Sequence, residues 1–120
     1  MFVRKLRDCE EFIAGDRTRL RELLHPDKHP LMLRYSLAHA TVAPGEISDL
    51  HSLTTSEVYY ILSGKGEMHI DSEVQILEPG DALYIPPNAK QRIRNVGEDP
   101  LVFLCIVDPA WRSADETVYE

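Results

Sequence analysis

From Leu31 to Val107 apolar and polar residues alternate with a period of two, broken at short intervals by glycine and proline. Leu33, Tyr35 and Leu37 alternate with Arg34, Ser36 and Ala38, so Leu31–Val42 predicts a long strand that Pro44 and Gly45 end. Glu57–Leu62 is rich in β-branched and aromatic residues, Ser63–Gly66 has turn composition, and Glu67–Asp71 alternates again, which predicts a hairpin. Further strands are predicted over Val74–Leu77, Ala82–Ile85, Gln91–Val96 and Leu101–Val107, separated by Glu78–Asp81, Pro86-Pro87 and Gly97–Pro100. Many short strands at regular spacing imply an all-β sandwich or barrel. Upstream the pattern differs. Phe2–Leu6 reads as a short edge or exchanged strand. Asp16–Leu24 predicts one short helix, with Asp16 or Thr18 as its cap, Leu20, Leu23 and Leu24 on one face, and Pro26 as its stop.

A chain of 120 residues is long enough for one core and too short for two, and it contains no internal repeat or low-complexity linker. We therefore expect a single domain over 1–120, with a barrel at about 31–108, an N-terminal segment 1–30 and a C-terminal tail 109–120. The longest apolar run, Leu101–Val107, cannot cross a bilayer, and no signal segment is read at the amino terminus, so a cytoplasmic protein with no membrane partner is expected. A formal charge of −7 argues against nucleic acid, whose phosphates need a basic surface. Arg4, Lys5, Arg7, Arg17, Arg19 and Arg21 cluster at the start and Asp108, Asp115, Glu116 and Glu120 at the end, a pair of regions expected to meet weakly at the surface. Cys9 and Cys105 are read as reduced thiols, Cys105 as a small buried hydrophobe.

The spacing of glycines and polar residues carries the reading further. Gly45 is followed after five residues by His51, then Ser52 and Leu53, then after three residues by Glu57 and after six more by Gly64. Gly80 precedes Pro86 by five residues, with Asn88, Gln91 and Asn95 completing a second cluster. Together they resemble the two motifs of the cupin family over roughly Leu33–Asp108. The resemblance implies an all-β cupin jelly-roll barrel, here with the short N-terminal helix added. Gly45, Gly64 and Gly80 should supply positive φ at tight connections, and Asn88 should tolerate it in a slot where the family has glycine.

Cupin metal sites usually take His, His, Glu and His from these motifs. This chain offers His51, Leu53, Glu57 and Gln91 at the matching positions, and Leu53 can ligate nothing. Two readings stay open. In one, His51, Glu57 and Gln91 hold a divalent transition metal with water or a further side chain. In the other the three form a hydrogen-bonded polar cluster without an ion. His69 could join the site only if a bulge reversed its strand, since Met68 and Ile70 should take the inner face. His39 lies before the first motif, and His25 and His29 are read as solvated loop residues. Tyr59 shares the parity of Glu57 and should enter the pocket as a wall or as a hydrogen-bond donor to a ligand; Tyr60 should point outward. Trp111 is read as an anchor for the tail.

The function expected is binding of a small polar metabolite, a divalent metal, or both, in the barrel. Chemistry of an isomerase, lyase or dioxygenase type could follow, with His51 and Glu57 as catalytic groups and Tyr59 and Gln91 as binding groups. The alternatives are a metal-free enzyme with His51 as general acid or base, and a non-catalytic, sugar-like metabolite-binding protein. The resemblance to mannose-6-phosphate-isomerase-like small cupins is one of shape. A homodimer is expected, because Leu101–Val107 is apolar on both faces and cupins commonly pair.

Overall fold

A computed structural model describes residues 1–119. The strands are β1 Glu11–Ile13, β2 Arg19–Leu24, β3 Ser36–Val42, β4 His51–Leu53, β5 Ser56–Ser63, β6 Gly66–Ile70, β7 Glu73–Leu77, β8 Ala82–Ile85, β9 Gln91–Asn95, β10 Leu101–Asp108 and β11 Glu116–Val118. They form a six-stranded sheet, sheet A, in the order β1-β2-β3-β10-β5-β8 and a five-stranded sheet, sheet B, in the order β11-β4-β9-β6-β7. Apart from two 3-10 turns, Leu6–Asp8 and Ser113–Asp115, the described residues contain no helix. None is long and apolar enough to cross a membrane.

The helix expected over Asp16–Leu24 is a hairpin instead. Asp16 Oδ1 accepts hydrogen bonds from Thr18 Oγ1 at 2.7 Å and Thr18 N at 3.1 Å, and Arg17 has φ 71°, so the two capping candidates build a tight turn. β2 then pairs with β1 on one side and β3 on the other, with a register shift between Glu22 and Leu24. That shift resets the alternation, which is why the leucine spacing mimics a helical stripe. Phe2–Leu6 forms no strand, and β3 begins at Ser36 rather than Leu31 because its partner β10 runs out at the Val107–Ser36 pair.

Alternation is clean where both sheets meet. Across β10 and β5 the inward pairs are Phe103–Ile61, Cys105–Tyr59 and Val107–Glu57, all buried. Ile61, Phe103, Ile93, Leu101, Met68, Leu77 and Ile85 make the apolar floor. The turn residues behave as expected: Gly45, Gly64, Gly80 and Asn88 all have positive φ. Gly64 is the tightest. A Cβ there would stand 2.7 Å from Pro100 O and Leu101 Cα, so the connection admits no side chain.

Candidate functional site

The second motif places Gln91 at the start of β9, cross-strand from His51 on β4, both on sheet B. The first motif places Glu57 and Tyr59 two residues apart on β5 of sheet A, facing them across the barrel. Glu57, Gln91 and Tyr59 form one chain of hydrogen bonds. Gln91 Nε2 donates to Glu57 Oε1 at 2.9 Å, and the Tyr59 hydroxyl donates to Gln91 Oε1 at 3.1 Å. Gln91 is fully buried, so both ends of its amide are satisfied by the protein. His51 takes a different partner. Its Nδ1 donates to the Asp49 carbonyl at 2.8 Å, and Nε2 lies 3.5 Å from Asp16 Oδ2.

A cavity of about 190 Å³ opens beside these groups. Glu57 and Tyr59 line it directly, with Asp16, Glu22 and Glu116 as further carboxyls and Leu20, Leu53, Phe103, Cys105, Val107 and Trp111 as walls. His51 and Gln91 reach it through their partners Asp16 and Glu57. Burial pushes the Glu57 carboxyl up to about 7, against the pull of the Gln91 hydrogen bond and His51, with Asp16 and Glu116 adding to the rise. Burial also raises Glu116, opposed by His51 and Trp111 and reinforced by Asp16. The Cys105 thiol and Tyr59 phenol are held well above their usual ranges by burial first and the Glu57 charge second, so neither ionises near neutrality.

Asp16 and Glu116 are cavity residues that no local pattern marks. Asp16 lies in a turn at the end of β1, and Glu116 arrives with β11, which pairs with β4 through Glu116–Leu53. Ser52 Oγ and Tyr119 OH at 2.8 Å, and Thr54 Oγ1 donating to Asp115 Oδ1 at 3.0 Å, hold that strand in place. Gly15 leaves room for the Glu116 carboxylate, which a Cβ there would strike. The backbone of Trp111 ties down the tail: its main-chain N–H donates to Ser36 Oγ at 2.9 Å and its carbonyl lies 2.7 Å from His25 Nε2. His25 is therefore buried rather than solvated, and since Asp27 N–H donates to its Nδ1 at 3.0 Å, Nε2 carries the proton.

His69 lies beside Glu67 on the outer face of β6, its Nε2 2.7 Å from Glu67 Oε1, while Met68 points inward. Tyr60 is exposed. The basic N-terminal residues find other partners than the acidic tail: Arg17 pairs with Asp49 at 2.7 Å and Arg21 with Glu11 at 3.7 Å, and Glu120 lies outside the described residues.

As a metal centre the expected trio does not fit. The Gln91 carbonyl is occupied by Tyr59, its amide faces Glu57, and the His51 Nε2 faces Asp16. Among the described residues no three His, Cys, Asp or Glu side chains are set to share an ion.

Two facing sheets, positive-φ turn residues at motif spacing and a polar pocket between β4, β5 and β9 define a small barrel protein of the cupin class. The chain belongs to the cupin domain family, whose match spans residues 38–107. It is 39% identical over 110 residues to an uncharacterized protein of Methanocaldococcus jannaschii, a match covering 91% of this chain and 87% of that one. It is 28% identical over 129 residues to the glucose-6-phosphate isomerase of Pyrococcus furiosus, covering 87% of this chain and 68% of that enzyme. Among solved structures, Pac13 of Streptomyces, a nucleoside dehydratase, superposes with a TM-score of 0.81 over all of this chain and 92% of its own at 18% identity, a likeness of fold.

Proposed function

We propose that the cavity binds a small hydroxylated carbonyl compound and that Glu57 moves a proton on it, as an isomerase does. One observation carries this reading: a carboxyl in the cavity wall, oriented by Gln91 and Tyr59, with its pKa brought to about 7. A base so tuned is half ionised at neutral pH, where it serves best in both directions of proton transfer. As carboxylate, Glu57 takes the proton from the carbon beside the carbonyl and returns it to the neighbouring carbon. The proton that must pass between the two ligand oxygens is relayed by Asp16, which Thr18 orients and His51 Nε2 faces at 3.5 Å. His51 then acts as a positioning residue through Asp16. The likeness to a sugar isomerase supports the reaction type.

The test is a pH–rate profile on a panel of small aldoses and ketoses. Activity should rise through an inflection near pH 7, and Glu57→Gln should lose it by about 10²–10⁴-fold. A profile flat from pH 5 to 9 overturns the reading. No step here runs through a metal. A divalent ion would need Gln91 or the His51–Asp16 pair to rearrange, although the tie of His51 Nδ1 to a carbonyl is one that metal-bound histidines also make. A stoichiometric ion in the purified protein, lost in His51→Ala, would replace this mechanism.

We also propose a homodimer formed through the outer face of sheet A. Val102, Leu104 and Ile106 on β10, Val58, Tyr60 and Leu62 on β5, and Tyr84 on β8 point away from the barrel and make an apolar outer surface. Light scattering should give twice the 13.7 kDa chain mass, and Leu104→Glu should halve it.

A further inference from the structure

We propose that the ligand of this cavity carries a protonated amine, and that phosphorylated sugars are excluded. The inference rests on the proton-transfer reading above for the location of the site and goes beyond it to the ligand's charge. Four carboxyl groups line the cavity, Asp16, Glu22, Glu57 and Glu116, and among the described residues no lysine or arginine does. One of the four is answered by a lysine within the protein. Lys28 Nζ lies 2.6 Å from Glu22 Oε1 outside the wall, and His51 stands against Asp16. Asp16, Glu57 and Glu116 share the single imidazole of His51 and have no lysine or arginine partner.

Glu57 provides the second observation. It is more than nine-tenths buried and lines the cavity, and Gln91 occupies only Oε1; Oε2 receives no hydrogen bond from the described residues. An ammonium group supplies both what Oε2 lacks, a donor, and what the cavity lacks, a positive charge. The rings of Tyr59, Phe103 and Trp111 complete walls of the sort that an organic cation's carbon body packs against. A phosphate placed here would meet repulsion from Glu57 and Glu116, with no cation or arginine fork to receive it. The charge pattern thus separates this cavity from one built for a sugar phosphate.

Three probes share one carbon body and differ in charge: glucosamine, glucose and glucose 6-phosphate. Their affinities for the full-length protein, stripped of adventitious metal by chelation and gel filtration, are measured by calorimetry at pH 7 and low salt. Glucosamine should bind at least about tenfold more tightly than glucose, with no measurable binding of glucose 6-phosphate. Glu116→Gln should cut the glucosamine-to-glucose ratio by several-fold, and added salt should narrow it further. Equal binding of glucosamine and glucose, binding of glucose 6-phosphate, or no binding of glucosamine overturns the assignment. So does a ratio that Glu116→Gln leaves intact in a folded variant. These results leave the pH–rate test of Glu57 standing. A failed pH–rate test with the amine preference intact would instead retain the charge assignment and remove the chemistry.

Discussion

The same strands build both ends of the barrel, and the two ends obey different rules. Along β5, Ile61 belongs to the apolar floor while Glu57 and Tyr59 line the cavity. Along β10, Leu101 belongs to the floor, Phe103 to both the floor and the cavity wall, and Cys105 and Val107 line the cavity. Two residues of strand, roughly 7 Å, separate a region held by packing from one in which packing is given up for charge. At the floor, burial of each side chain stabilises the fold. At the cavity, burial of Glu57 opposes its own ionisation, and the fold carries that cost for a tuned carboxyl.

The floor is where substitution should cost most. Leu101→Ala, at a fully buried site away from the cavity lining, should lower stability by about 2–5 kcal/mol in denaturant melts, without changing the pH at which any activity turns on. At the cavity the sign reverses. Folded Glu57 titrates at about 7 against an ordinary value of 4.5, so the folded state binds more protons than the unfolded one between those values. Its contribution therefore leaves stability intact below about pH 4.5, and stability falls as pH rises through 7, by roughly 3 kcal/mol in all. Glu57→Gln should flatten that slope and make the protein more stable than the parent at pH 8, the mark of a residue kept for function. A Glu57→Gln variant less stable at pH 8 would erase the distinction between the two ends. The smallest expected effect is that of Tyr59→Phe. It leaves the Gln91 carbonyl buried without a donor and should cost about 1–2 kcal/mol, with the pH–rate inflection shifted but present.

Much of the barrel was legible in residue order. Period-two alternation and the turns between them located β5 to β10 to within a residue or two, and β5, β6, β9 and β10 each bury one face. Positive-φ turns were legible at Gly45, Gly64, Gly80 and Asn88 for a steric reason that acts locally. The short strands β4 and β11 were not. Three residues carry too little alternation to mark a strand, and β4, which carries His51, is buried throughout. The Asp16–Leu24 helix was misread because a register shift in β2 spaces leucines as a helix would.

What the linear order determined about this protein is the parity of β5 and β9, which turns Glu57, Tyr59 and Gln91 inward, and the outward facing of His69, since strand geometry alone sets both. Only the tertiary structure decided the partners. Asp16 and Glu116, a hundred positions apart in the chain, enter one cavity because the turn between β1 and β2, with β2 beside β3, and the edge strand β11 beside β4 bring them to it. The partners of Gln91, Glu57 at its amide and Tyr59 at its carbonyl, were likewise set by which groups stood opposite it. Hydrogen bonds and charges act through space over a few ångströms, and sequence separation does not measure that distance.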